Sequence, residues 1–226
     1  VSTPTPIRID ACVDPAEHPA LVAGAEQLGE CLLVATGVAW PVQVRLLAPG
    51  STPLPPAGAL AFTIFSLLPE TQRLDEPIAV TDRRWRDTLR PFVERGSAVF
   101  VCTVFRSTGE PSTAAGAASA LLERIRRLNL LAVELSHALG VWVIDFDRAL
   151  AHVGARALQS DYRLGGRLAA EVAGHQIVWS LLAHGLDDGV SPQAQETAKT
   201  FHGDLQRIDA LIRRRLARHA RSAGHG

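Results

Sequence analysis

The chain has 226 residues, 47% of them hydrophobic, which suits one globular domain with a sizeable core. Its 23 basic and 23 acidic side chains cancel, so no whole-molecule field favours nucleic acid or an anionic membrane. No apolar run approaches the roughly 20 residues of a membrane span, and Cys12, Cys31 and Cys102 form neither a metal-spaced set nor a disulfide framework.

Lys199 is the only lysine, an arginine bias that fits a GC-rich bacterial genome better than a set of guanidinium-specific contacts. The opening Val1-Ser-Thr-Pro-Thr-Pro lacks the charged and apolar regions of a signal peptide. A cytoplasmic protein is the expectation. Because the chain lacks methionine, a removed targeting segment stays open.

In chain order, residues 6–12 predict a first strand with Ile7 and Ile9 on one face. Residues 15–36 predict a helix with Leu21, Leu28, Leu32 and Leu33 inward, ended by Gly37. A second strand follows over 42–47, then a Pro/Gly-rich surface loop over 49–58. Residues 59–68 are apolar throughout and fit a central strand. Residues 77–95 predict a helix with Trp85, Leu89, Phe92 and Val93 on one side and arginines on the other. The clearest strand covers 97–105, and the polar loop over 106–116 is long enough to be functional.

The second half opens on a helix with Leu121, Leu122, Ile125, Leu128, Leu131, Ala132 and Leu135 at helical spacing, stopped by Gly140. Residues 141–144 then read as a short buried parallel strand ending in Asp145 and Asp147. A polar connection leads to Asp161-Tyr162-Arg163 and a helix carrying His175. Residues 196–221 predict one terminal helix, with Ile208, Leu211, Ile212 and Leu216 at helical spacing. Between Arg207 and Arg221 it carries six arginines against the single acid Asp209. Its simplest use is packing by the apolar stripe with arginines in solvent; an oligomer contact is the functional alternative.

Strands alternating with helices predict a three-layer α/β/α sandwich with a central parallel five-stranded sheet and right-handed crossovers. Residues 1–190 are expected to form this domain and 191–226 a C-terminal helical extension. Ligands collect outside the carboxyl ends of strands in such sheets. Asp145, Asp147 and Asp161 could there hold a divalent cation. The simpler expectation is that Asp147 caps a helix starting at Arg148 and Asp145 accepts backbone hydrogen bonds, so neither metal nor cofactor is expected. Arg106, ending the strongest strand, would suit an anionic or sugar-like ligand. Gly165-Gly166 follows no strand and lacks a Lys-Ser/Thr partner, which argues against a phosphate-binding loop.

Residues 127–182 resemble the C-terminal part of the SGNH/GDSL hydrolase superfamily. Leu128-Asn129-Leu-Leu-Ala132-Val-Glu-Leu and Gly140-Val-Trp-Val-Ile-Asp145 match its helix and strand, and Asp161-Tyr-Arg163-Leu164 occupies the place of its Asp-x-x-His block. The resemblance implies an SGNH/flavodoxin-like fold and an ester hydrolase, an esterase or deacetylase acting on a glycan or acylated small molecule. Departures are several. Where the family has Gly-Asp-Ser, this chain reads Ile9-Asp10-Ala11-Cys12, the oxyanion-hole Asn has no counterpart near Ile64-Phe65-Ser66, and Leu164 stands where the His belongs.

Acyl transfer needs a nucleophile, a base within hydrogen-bond reach and donors at the developing oxyanion. The triad is therefore degenerate. Candidate catalytic residues are Asp161, Asp10, Cys12 and His175, the last fourteen residues beyond Asp161. Candidate ligand-binding residues are Arg106, Ser107, Asp145 and Arg163. Other triads can be drawn from Ser66, Ser107 or Ser112 with His137 or His152. Two functions follow: a divergent hydrolase, or a catalytically inactive binding or assembly subunit acting through the crevice or the arginine-rich helix. Partners would be a small-molecule or glycan ester, a protein, or a second copy of the chain.

Overall fold

The computed structural model describes residues 4, 6–48, 60–108 and 115–223. Strand β1 (Ile7–Cys12) alternates strictly: Ile7, Ile9 and Ala11 enter one core, while Arg8, Asp10 and Cys12 face the other side. It pairs in parallel with β2 (Val42–Leu46) and β3 (Leu60–Ser66), and β4 (Ala98–Cys102) and β5 (Trp142–Ile144) continue the sheet. The order is β2-β1-β3-β4-β5, so the chain changes direction across the sheet at β1 and β3. In parallel sheets of this order the ligand crevice opens outside the carboxyl ends at that point.

Helices flank both faces, as expected of a parallel sheet buried on two sides. On one face pack α1 (His18–Thr36) and α6 (Arg167–His184), with Leu21, Leu28, Val172, Ile177 and Leu181 closing the core beneath them. On the other, α2 (Ile78–Val93) and α3 (Ala115–Leu139) bury Trp85, Leu89, Phe92, Ile125, Leu128 and Leu135 against Phe65, Val99 and Val101. The short helices α4 (Phe146–Val153) and α5 (Ala155–Leu158) follow β5. The chain finishes with α7 (Pro192–His202) and α8 (Leu205–Ala223), which contribute Ala198, Ile208 and Ile212 to the α1/α6 core. No helix among the described residues is long and apolar enough to cross a membrane.

The closest helix contact is between α1 and α6. A Cβ built on Gly174 would sit 2.9 Å from the Gly24 nitrogen and 3.0 Å from the Ala20 carbonyl oxygen. Only glycine fits there, and the contact fixes the adjacent His175.

Several expectations need correction. Leu33 is 47% exposed, because its neighbour Leu32 takes the sheet-facing direction. The predicted strand over 97–105 stops at Cys102: the Thr103 nitrogen donates to Ile144 O at 3.0 Å, while the Asn129 amide takes both the nitrogen and the oxygen of Val104 at 2.8 Å. The connection after β5 contains α4 and α5, and α4 is capped by Asp145 rather than Asp147. The terminal helix is two helices, broken at Gly203, whose φ of 76° reverses the chain, and Asp204. Leu211, placed on the apolar stripe, is 44% exposed. The predicted loop over 49–58 lies outside the described residues, as does Ser112; of the loop over 106–116 only 106–108 and 115–116 are described.

Candidate functional site

At the carboxyl ends of β1 and β3 the chain builds a buried carboxyl–hydroxyl pair. Asp14-Pro15-Ala16-Glu17 forms a reciprocal cap just after β1: the Asp14 carboxylate accepts from the Ala16 nitrogen and Glu17 Oε2 accepts from the Asp14 nitrogen, both at 2.9 Å. That turn drives Glu17 inward, where Oε1 accepts from Ser66 Oγ at 2.6 Å, and Ser66 Oγ in turn accepts from the Leu68 nitrogen at 3.0 Å. Both side chains are buried. Burial pushes the Glu17 carboxyl up to about 7, against the opposing pull of its hydrogen bonds from Ser66 and Asp14. Below this pair, burial and then the Glu17 charge raise the Cys102 thiol well above the ordinary range.

The predicted catalytic residues are placed as follows. Asp10 is buried mid-strand and clamps β1 to β2, its two oxygens accepting from Arg45 at 2.8 and 3.0 Å and its Oδ2 lying 2.9 Å from Arg8. Cys12 is half-buried, and burial raises its thiol, the wrong direction for a nucleophile. Asp161 precedes α6 and is ion-paired with Arg163, which also donates its backbone nitrogen at 2.9 Å. Burial raises the Asp161 carboxyl, but the Arg163 hydrogen bonds outweigh it and hold the group below its ordinary value. Leu164, standing where the family's base would be, is buried with φ of 54°.

His175 is not gathered to this edge. It lies on α6 with its ring stacked 3.9 Å from His202 of α7, and it lines a cavity with Asp145, Arg148 and His152. Burial, then the neighbouring His202, lowers it to about 3.

Of the predicted ligand-binding residues, Arg106, Ser107 and Asp145 do converge beyond β4 and β5. Asp147 Oδ1 accepts from the Arg106 nitrogen at 2.9 Å, and its Oδ2 lies 3.0 Å from Arg106 Nε. Thr103 Oγ1 accepts from the Asp147 nitrogen at 3.0 Å and donates to Asp145 Oδ1 at 3.1 Å. Ser107 contributes its carbonyl, which accepts from the Tyr162 nitrogen at 2.7 Å and ties the loop after β4 to the Asp161–Arg163 turn. Beside this circuit opens a cavity of about 460 Å³ with an apolar wall from Leu130, Val133 and Val143 and cations from Arg106 and Arg126. Arg126 has no ion pair among the described residues.

Sequence reading missed Glu17, although the capping-box spacing Asp14 to Glu17 marks it. It also missed Arg126, which is one arginine among many. Among the described residues no group of three or more His, Cys, Asp or Glu side chains is placed to hold a metal ion. No protein-family model matches the chain, and no curated protein matches it.

Proposed function

We propose that this chain is a catalytically silent, SGNH-like α/β domain that works by binding, as a ligand-binding or assembly subunit. One observation carries the reading: among the described residues, the serine and the aspartates at the carboxyl edge of the sheet that acyl transfer would draw on already serve structural partners. Ser66 is spent on Glu17 and the backbone of Leu68, Asp161 on Arg163, and Asp10 on Arg45 and Arg8. The Ser66 hydroxyl is buried between the Glu17 carboxyl and the Leu68 nitrogen, which closes it to an incoming ester. The SGNH-like part of the proposal draws on the strand order and on the position of Asp161 before α6. It is a likeness of arrangement, and fold alone does not give function.

The surface the domain offers instead is the cavity between the loop after β4 and α3. Asp147 pairs with Arg106 there and Asp145 accepts from Thr103 and the Arg148 nitrogen, while Arg126, with no ion pair among the described residues, stands beside exposed Leu130. A ligand or partner with an anionic group next to an apolar one fits this pairing.

The test is hydrolysis of p-nitrophenyl acetate and butyrate by the purified chain beside Asp161→Ala, Cys12→Ala and His175→Ala. The proposal expects buffer-level rates in all four. Activity above buffer that disappears in one variant restores the hydrolase.

A further inference from the structure

The sheet ends on two strands that are protected very differently. At one edge β5 has only 3 residues, and at the other β2 has 5. An open edge is a template for pairing with another chain, and proteins blunt it with short strands, bulges, proline or outward charge. Shortness protects β5. Strand β2, Val42-Gln-Val-Arg-Leu46, is longer, keeps an unbroken register with β1 and contains neither lysine nor proline. Its one charge, Arg45, is turned back onto Asp10 of β1.

The backbone shows which groups that edge presents. The Ile7 nitrogen donates to the Pro41 oxygen at 2.9 Å, and the Leu47 nitrogen donates to the Ala11 oxygen at 2.8 Å. In a parallel ladder, alternate residues turn both backbone groups toward the same neighbour. Positions 41, 43, 45 and 47 therefore serve β1, and Val42, Val44 and Leu46 turn their N–H and C=O groups outward. Among the described residues no strand pairs with that side of β2. In register with Ile7, Ile9 and Ala11, the side chains of these three residues lie on the α1 face of the sheet, and Gln43 and Arg45 lie on the opposite face.

The α1 face beside this edge is open and apolar. A groove of about 410 Å³ runs between α1 and β2, lined by Val22, Gly29 and Trp40 beside Val42 and Val44, with Glu26 its one ionisable group. Val22 and Leu46 are 40% and 50% exposed. The strand complements itself. An antiparallel copy centred on Val44 sets Val44 against Val44 and Val42 against Leu46 on the α1 face, and Gln43 against Arg45 on the other. Like charges never stand opposite each other in this register. Each outward-facing pair exchanges both of its backbone hydrogen bonds, and the same patch serves both copies, as a two-fold interface requires.

We propose that β2 is a dimer edge: two copies of this chain join antiparallel through Val42–Leu46 into one continuous sheet, with both α1 helices on the same side of the seam. The partner is a second copy because the strand matches its own reversal in apolar pattern, charge and hydrogen-bond phase. The dimer does not rest on the silent reading of the crevice, and an active esterase would leave it standing.

Sedimentation velocity of the full chain, from low micromolar to submillimolar concentration, tests it. The mass should rise from 24.2 kDa to twice that value. Val44→Pro removes the central outward N–H, and an edge strand tolerates proline where the N–H faces away from the sheet. This variant should stay monomeric throughout, with unchanged circular dichroism. Gln43 is exposed and supplies a second arm. Gln43→Glu places a carboxylate opposite Arg45 and should tighten Kd about fivefold, and Gln43→Arg should weaken it about fivefold, because the pair occurs twice across the axis. If Val44→Pro loses its dichroism, the Gln43 pair decides alone. A chain that stays monomeric to submillimolar concentration overturns the proposal. So does a dimer that persists in folded Val44→Pro, or one Kd shared by both Gln43 variants.

Discussion

Two polar regions of this molecule are built in opposite ways. At the β1/β3 switch point, where α/β sheets ordinarily keep their chemistry, Glu17 and Ser66 are closed into a reciprocal network with Asp14 and Leu68. At the α4/α6/α8 cavity, far less conspicuous in sequence, His175 has no hydrogen bond to either ring nitrogen. The first arrangement satisfies every polar atom internally and has nothing to offer a substrate. The second leaves both ring nitrogens buried and unpaired. Position at a strand end does not make a site.

The contrast can be broken or sharpened by substitution, and Gly174→Leu should do most. It forces side-chain atoms into the Gly24 and Ala20 backbone, which sit within about 3 Å of a built Cβ. Chemical denaturation should show a loss of about 3 kcal/mol or more.

Glu17 comes next, through its pH dependence. Its folded pKa of about 7 lies above its ordinary 4.5, so the folded state binds the proton more tightly. The associated stability is fully present below about pH 4.5 and is lost as pH rises through 7, on the order of 3 kcal/mol at most. Glu17→Gln mimics the protonated acid, with its amide donating to Ser66 and its carbonyl accepting from Asp14. It should melt higher than the parent at pH 8, and the gap should close by pH 5.

His175 has the reverse sign. Its folded pKa, about 3, lies below the ordinary 6.5, so its contribution is present above pH 6.5 and declines as pH falls toward 3. Thermal melts at pH 4.5 and 6.5 should show a smaller acid-induced drop in His175→Phe than in the parent. The smallest effect belongs to Arg163→Ala. Its guanidinium is 68% exposed, so removing the pair with Asp161 should cost no more than about 1 kcal/mol by denaturant titration. A catalytic Asp161–Arg163 unit would instead show its effect in turnover.

Much of the fold was legible because it rests on local patterns. The alternation of Ile7, Ile9 and Ala11, the helical stripe from Ile125 to Leu135 and the Gly37 and Gly140 stops each depend on near neighbours. Strand ends were harder. Val104 looks like part of a continuing strand, and what takes its backbone groups is the Asn129 amide, 25 residues away. The site was less legible still. Nothing near His175 in sequence indicates that its ring stacks on His202, 27 residues on, because that contact exists only once α7 has packed against α6. Likewise, Asp147 reads in sequence as the cap of a helix starting at Arg148, and only the geometry selects Asp145.

The most direct test of the silent crevice is independent of substrate choice: treatment of the folded chain with a fluorophosphonate, which reacts with activated serines, followed by intact-mass and peptide mass spectrometry. Our account predicts an unmodified chain, since Ser66 is buried and its hydroxyl is closed in between Glu17 and the Leu68 nitrogen. A stoichiometric phosphonyl adduct on Ser66, or on any other serine, abolished by prior unfolding, would contradict it and return the protein to the hydrolases.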